Sequence, residues 1–227
     1  GFVPQAAVLQ TMRTTLRLQR FHEGHVLETA VTKAWADARH PDQPLKEFLE
    51  AIAAPRPTPG GGSAAAYVGA LAASLGIMGA RLGNRPDTEH TLLQLQQQLY
   101  QLVQSDAHAY DKLQAVAKAA QEDPHRPHAM ATALHQATEI PLDIANLSCQ
   151  TGRLLHELSS SAKTLIRSDL AVGMQLALAA AASAILTART NINRMKNQLV
   201  TRSLLKKLEQ AHESLEELRT LCYTPLP

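Results

Sequence analysis

Nothing in the chain restricts its folding more than Pro55-Arg56-Pro57-Thr58-Pro59-Gly60-Gly61-Gly62-Ser63-Ala64-Ala65-Ala66. The prolines bar helix on the N-terminal side, because each fixes φ and pushes the residue before it toward extended geometry. The glycines that follow are free to take positive φ and to let a ligand or a neighbouring chain approach bare backbone. Ser63 then stands as an N-cap ahead of a run of small residues reaching Ala80. The spacing predicts a tight loop feeding a helix start, where unpaired N–H groups and the dipole favour an anion. No Gly-Lys-Ser/Thr follows, so this is not a Walker A loop, and no strand precedes it as a dinucleotide fingerprint requires. A flexible linker ahead of a closely packing small-residue helix explains the same residues without any ligand.

At 227 residues the chain can bury a sizeable core, as one large domain or one domain with an appendage. Hydrophobic residues make up 45% but aromatics only 4%, and alanine and leucine supply most of the apolar surface. That balance favours helix and leaves little material for sheet. A net charge of +2 gives no nucleic-acid footprint, although a few local arginines suit an acidic small molecule. Cys149 and Cys222 form no CxxC pattern, which fits a reducing, cytoplasmic setting. No basic-then-apolar signal sequence opens the chain. Leu170 to Ala188 is long enough to span a bilayer, but it carries Gln175 and is mostly alanine, so a buried core helix is expected and no membrane partner.

Along the chain, residues 1–37 read as helical with a break near Phe21-His22-Glu23-Gly24, and Arg39 to Pro44 reads as a linker. A short amphipathic helix follows, with Leu45, Phe48, Leu49 and Ile52 on one face. The glycine-loop helix stops near Gly83-Asn84-Arg85-Pro86. The next runs from about Asp87 to Gln121 on a three-four stripe of Leu92, Leu95, Leu99, Leu102, Leu113 and Val116. Beyond a turn at Asp123 to Pro127, a helix reaches about Ser160, kinked or restarted by Pro141. Asp169 opens the alanine-rich helix, and a last helix carries Leu199, Leu204, Leu208, Leu215 and Leu218. The sum is an all-α helical bundle with a helical N-terminal appendage.

The stripe that contains Leu102 leads on to Asp106, so a carboxylate occupies a position the pattern assigns to the buried face. Ionised and alone there it would cost several kcal/mol, on the order of what burying any unpaired charge costs, so it is expected to be paired or to have a raised pKa. A carboxyl tuned toward neutrality suits proton transfer. A structural carboxylate satisfied by an arginine or a hydroxyl suits the pattern equally. Ser168-Asp169 reads first as an N-cap, and Asn191 and Asn193 as helix terminators in the left-handed conformation. Alternatively these polar groups at helix ends hydrogen-bond a heterocycle in a cleft. His22/His25 and His125/His128 have helix-turn spacing but no third ligand, and no metal site is expected.

Residues 57–66 resemble the signature loop of the formimidoyltetrahydrofolate cyclodeaminase and methenyltetrahydrofolate cyclohydrolase family. Further segments agree in order. Val103-Gln104-Ser105-Asp106-Ala107-His108-Ala109-Tyr110 is similar to the helix that carries the family's catalytic aspartate. Ile140-Pro141-Leu142 resembles its Val-Pro-Leu kink, Arg167-Ser168-Asp169-Leu170 its Ser-Asp box, and Ile192-Asn193 its closing Ile-Asn. The likeness covers about Leu45 to the C-terminus, giving a domain over 41–227. Residues 1–40, including Gly1 to Ala7 and Arg20-Phe21 through Val26-Leu27-Glu28, look like the tail of a glutamate formimidoyltransferase, the domain that precedes the cyclodeaminase in bifunctional relatives.

The resemblance implies a homodimer or higher homo-oligomer with a folate between subunits, and a formimidoyltransferase domain as a further partner. It implies a tetrahydrofolate derivative as substrate and no tightly bound cofactor. Asp106 would be catalytic. Gly60, Gly61, Gly62 and Ser63 would bind carboxylate or pterin through backbone N–H groups. Arg85, Lys163 or Arg189 would take the glutamate tail, with Asp169 and Asn193 also lining the site. The chain departs from the family pattern at Ala162-Lys163, where Gly-Asn is usual, and at Arg189, where asparagine is usual. A basic Gly-Lys-Lys-aromatic motif is reduced to Gly83-Asn84-Arg85. These departures motivate a rival expectation: a catalytically silent relative that binds folate or serves assembly.

Overall fold

The computed structural model describes residues 7, 10, 11, 14, 15, 17, 43–118, 125–195 and 198–224. Among them the elements are α1 (Gln43–Ala53), α2 (Gly61–Leu82), α3 (Pro86–Lys118), α4 (Arg126–Ser161), α5 (Thr164–Ile192) and α6 (Gln198–Tyr223). No strand occurs among the described residues, and the all-α expectation holds. The chain divides into two compact units, Gly1–Ala51 and Ile52–Pro227. The expected boundary at 40/41, the break near Phe21 and the pair His22/His25 lie outside the described residues. On α1, Leu45 and Leu49 stay exposed while Phe48 and Ile52 are half-buried.

In the larger unit α2 is the central rod, because its small residues let three neighbours come close. A Cβ on Gly76 would stand 2.5 Å from Leu155 of α4 and 3.0 Å from Leu92 of α3. Gly79 faces Leu170 of α5, and Gly173 of α5 faces Leu75 and Ala72, so α2 and α5 run antiparallel. The leucines that fill these approaches (Leu92, Leu99, Leu155, Leu170) are fully buried, each contributing roughly 1.5–3 kcal/mol. Leu113 joins them, whereas Leu102 and Val116 of the expected stripe are half-buried. On α6, Leu204, Leu208, Leu215 and Leu218 are buried. Both α2 and α5 are long and apolar enough to cross a membrane, and both bury residues against the other helices.

Several local expectations are corrected. Gly60, not Ser63, is the N-cap of α2, with φ −130° and ψ −154°. No described glycine has positive φ, so the loop uses glycine for its missing side chain and not for a left-handed turn. At the other end of α2 the left-handed residue is Asn84, φ 51°. Its N–H bonds the Arg81 carbonyl and the N–H of Arg85 bonds that of Ala80, a Schellman ending. The alanine-rich helix starts at Thr164 with Lys163 as N-cap, so Ser168 and Asp169 lie inside α5 and cap nothing. Asn193 is its C-cap with φ −62°, right-handed.

Pro141 neither stops nor restarts α4, which runs through it. A proline offers no N–H, so the carbonyl four residues earlier loses its helical donor. That carbonyl belongs to Ala137, and the buried Asn191 of α5 donates its Nδ2–H to it at 2.7 Å. Asn191, inside the last turn of α5, thus repairs the defect that proline makes in α4.

Candidate functional site

The N-terminus of α2 meets a side-chain carboxyl, that of Asp106. Ser63 Oγ donates to Asp106 Oδ2 at 2.9 Å, and the Ser63 N–H donates to the same carboxylate. A Cβ on Gly62 would overlap that carboxylate, so only glycine lets the acid reach the helix end. Five residues to either side, Thr58 Oγ1 donates to Asp111 Oδ1 at 2.8 Å, fastening the loop to α3 a second time. The Thr58–Pro59 peptide is cis.

Asp106 is half-buried, and burial pushes its carboxyl above the ordinary carboxylate value, while the Ser63 hydroxyl and N–H pull it partly back. The expectation of pairing or a raised pKa is met on both counts. The partner is a hydroxyl and not an arginine. Such a group sits ready to accept a proton and to return it, while the helix dipole steadies its charged form.

The expected site residues fall at two poles. Gly60 is half-buried, Gly61 exposed, and Gly62 and Ser63 are buried against Asp106. Because α5 runs antiparallel to α2, its exposed Arg189 and Asn193 lie at this same pole. Arg85, Lys163 and Asp169 are exposed at the other. There Arg85 Nη2 donates to Ser161 Oγ at 3.1 Å, and Arg85 and Lys163 line a cavity of about 160 Å³. A helix of 22 residues separates the poles by roughly 33 Å. Arg85 and Lys163 therefore do not share a ligand with Asp106 within one chain.

Sequence reasoning missed the Thr58–Asp111 link, although each partner lies five residues from one of the Ser63–Asp106 pair. It gave the Ser63 backbone N–H to the substrate; in the structure that N–H and the Ser63 hydroxyl both meet Asp106. His125 and His128 are exposed, and no group of three metal-ligating side chains occurs among the described residues. Cys149 is a buried free thiol with its pKa pushed up to about 11 by burial, far from what a nucleophile needs.

A carboxyl clasped by a glycine-loop helix start is the feature against which relatives can be compared. A family model described as formiminotransferase-cyclodeaminase matches residues 44–210. The chain belongs to that family. A methenyltetrahydrofolate cyclohydrolase of Methylorubrum extorquens is 27% identical over 183 residues, covering 74% of this chain and 88% of the relative. The crystal structure of a formiminotetrahydrofolate cyclodeaminase from Thermotoga maritima superposes with a TM-score of 0.73 at 22% identity, over 80% of this chain and 94% of that one. At that identity the superposition establishes the family's helical fold in this chain. Family membership carries with it the coarse function, folate one-carbon chemistry.

Proposed function

We propose that the protein converts 5-formimidoyltetrahydrofolate to 5,10-methenyltetrahydrofolate with release of ammonia, and that Asp106 moves the protons. One observation carries the reading: a half-buried carboxyl with a raised pKa, held by Ser63 at the glycine-loop end of α2. The formimidoyl group enters as its protonated amidinium; N10 attacks its carbon and the N10 proton passes to the Asp106 carboxylate. The tetrahedral adduct then takes that proton on its exocyclic nitrogen, the C–N bond breaks, and ammonia leaves as the methenyl bridge closes. The site supplies proximity between N10 and the carbon, and a proton acceptor that becomes the donor.

A second reading draws on the Methylorubrum relative, a cyclohydrolase by name. There the same carboxylate would take a proton from water as the water adds to the methenyl carbon. Gly60 is half-buried and Gly61 exposed, and Arg189 and Asn193 are exposed at the same pole; in this reading the glycine backbone N–H groups and these two side chains take the ligand's polar groups. Arg85 and Lys163 serve this site only from a second copy, which favours a homodimer with the folate between subunits. We place the enzyme in the cytoplasm, with a formimidoyltransferase domain as a natural supplier of its substrate.

Incubating the purified chain with each folate and following absorbance separates the readings. Conversion of the formimidoyl form with ammonia release supports the first, and consumption of the methenyl form supports the second. Binding with neither conversion would make the protein the silent relative.

A further inference from the structure

Beside the Asp106 clasp, between α2 and α3, lies a groove of about 300 Å³. Its walls include Tyr67 and Leu71 of α2 and Tyr100 of α3, and Ser74 and Gln96 line its far end. The Gln96 amide donates to Ser74 Oγ at 2.7 Å, fixing that end. Tyr67 is one helical turn beyond Ser63, about 6 Å along the axis. Tyr100 stands six residues before Asp106, about 9 Å along α3. In a chain with only 4% aromatic residues, two tyrosines flanking one groove within two turns of a half-buried acid form a distinct constellation. Tyr100 is 56% exposed and Leu71 44%, an unusual amount of ring and aliphatic surface left to water. A larger groove of about 500 Å³ on the opposite side of α3 is lined by Gln98, Gln101 and Asp143 and has no ring in it, while Asp106 turns toward α2.

We propose that the α2/α3 groove is a subsite for a planar aromatic ring of the substrate, with Tyr67 and Tyr100 as its walls. The assignment rests on the folate reading. In such a substrate the reacting carbon bridges N5 of a bicyclic ring and N10, which bears an aryl ring, so either ring lies within a few ångströms of the proton-transfer centre. An aromatic ring packs on tyrosine through offset or edge-to-face contact. Gln97, exposed on the rim, offers an amide to the ring's polar edge. Tyr100 is then a binding residue acting one to two turns from the chemistry.

The test is NMR titration of the wild type, Tyr100→Ala and Tyr100→Phe with p-aminobenzoylglutamate and, separately, with a tetrahydropterin. Tyr100 is exposed, so both variants should keep the helical fold, checked by circular dichroism. At least one fragment is expected to shift the ring resonances of Tyr67 and Tyr100. Its affinity should fall about tenfold in Tyr100→Ala and be kept in Tyr100→Phe. Equal affinity in Tyr100→Ala, or ring resonances that ignore both fragments at millimolar concentration, would overturn the subsite. So would ring shifts driven by protein concentration alone, which would give the groove to a second copy. Turnover of the whole folate by wild type and Asp106→Asn is read separately. Turnover that depends on Asp106 alongside fragments that ignore Tyr100 sinks the subsite and leaves the catalytic reading. Fragments seated on Tyr100 in a chain without turnover do the reverse.

Discussion

Gly61 and Gly62 are neighbours with opposite surroundings. A Cβ at Gly61 meets nothing within 4 Å, whereas one at Gly62 runs into the Asp106 carboxylate. Gly61→Ala should leave the melting temperature unchanged or slightly raised, a gain of up to about 1 kcal/mol. Gly62→Ala should cost about 1–3 kcal/mol and displace the acid, so that turnover falls even where the protein is fully folded. Equal effects of the two would contradict the clasp. Asp106 also sets a pH signature. Its folded pKa is raised, so its contribution to stability is complete below the ordinary carboxylate range and is lost as pH rises through the folded value. Asn at this position cannot ionise. Asp106→Asn should therefore melt close to wild type in acid and above it at neutral pH; a wild type more stable at neutral pH would refute the assignment. The place of Asp106 on a buried stripe was legible from leucine spacing alone. That Ser63 would bond it was not, because the link joins residues 43 apart and depends on how two helices dock.

The helices show the same division. Apolar spacing located α3 and α6, and glycine with proline marked the end of α2, since these signals are local. The start of α5 was misplaced because Ser168-Asp169 has the composition of a cap, while the observed cap, Lys163, has none of it. Pro141 and Asn191 lie 50 residues apart, and only the packing of α5 on α4 reveals that one answers the other. Asn191→Ala should cost about 1–3 kcal/mol by orphaning the buried Ala137 carbonyl. In a Pro141→Ala background the restored N–H at 141 supplies the missing helical bond, and the same asparagine substitution should cost clearly less. Chemical denaturation of the four proteins forms a double-mutant cycle. Strict additivity would contradict the repair.

Across the whole molecule, the family resemblance foresaw the fold class, while the separation of the expected binding residues into two poles appears only in three dimensions. Arg85 and Lys163 stand roughly 33 Å from the acid along α2. If they act on its substrate, a mixture of Asp106→Asn and Arg85→Ala chains should regain activity that neither has alone, through hybrid dimers with one intact site. An Arg85→Ala chain as active as wild type would confine catalysis to the Asp106 pole of single chains. The most direct measurement of the central claim is ammonia release from 5-formimidoyltetrahydrofolate by wild type and Asp106→Asn, with helical content and folate binding recorded on the same samples. The account predicts an Asp106→Asn protein that is folded, still binds the folate and releases no ammonia above background. An Asp106→Asn protein that turns over at the wild-type rate would contradict it.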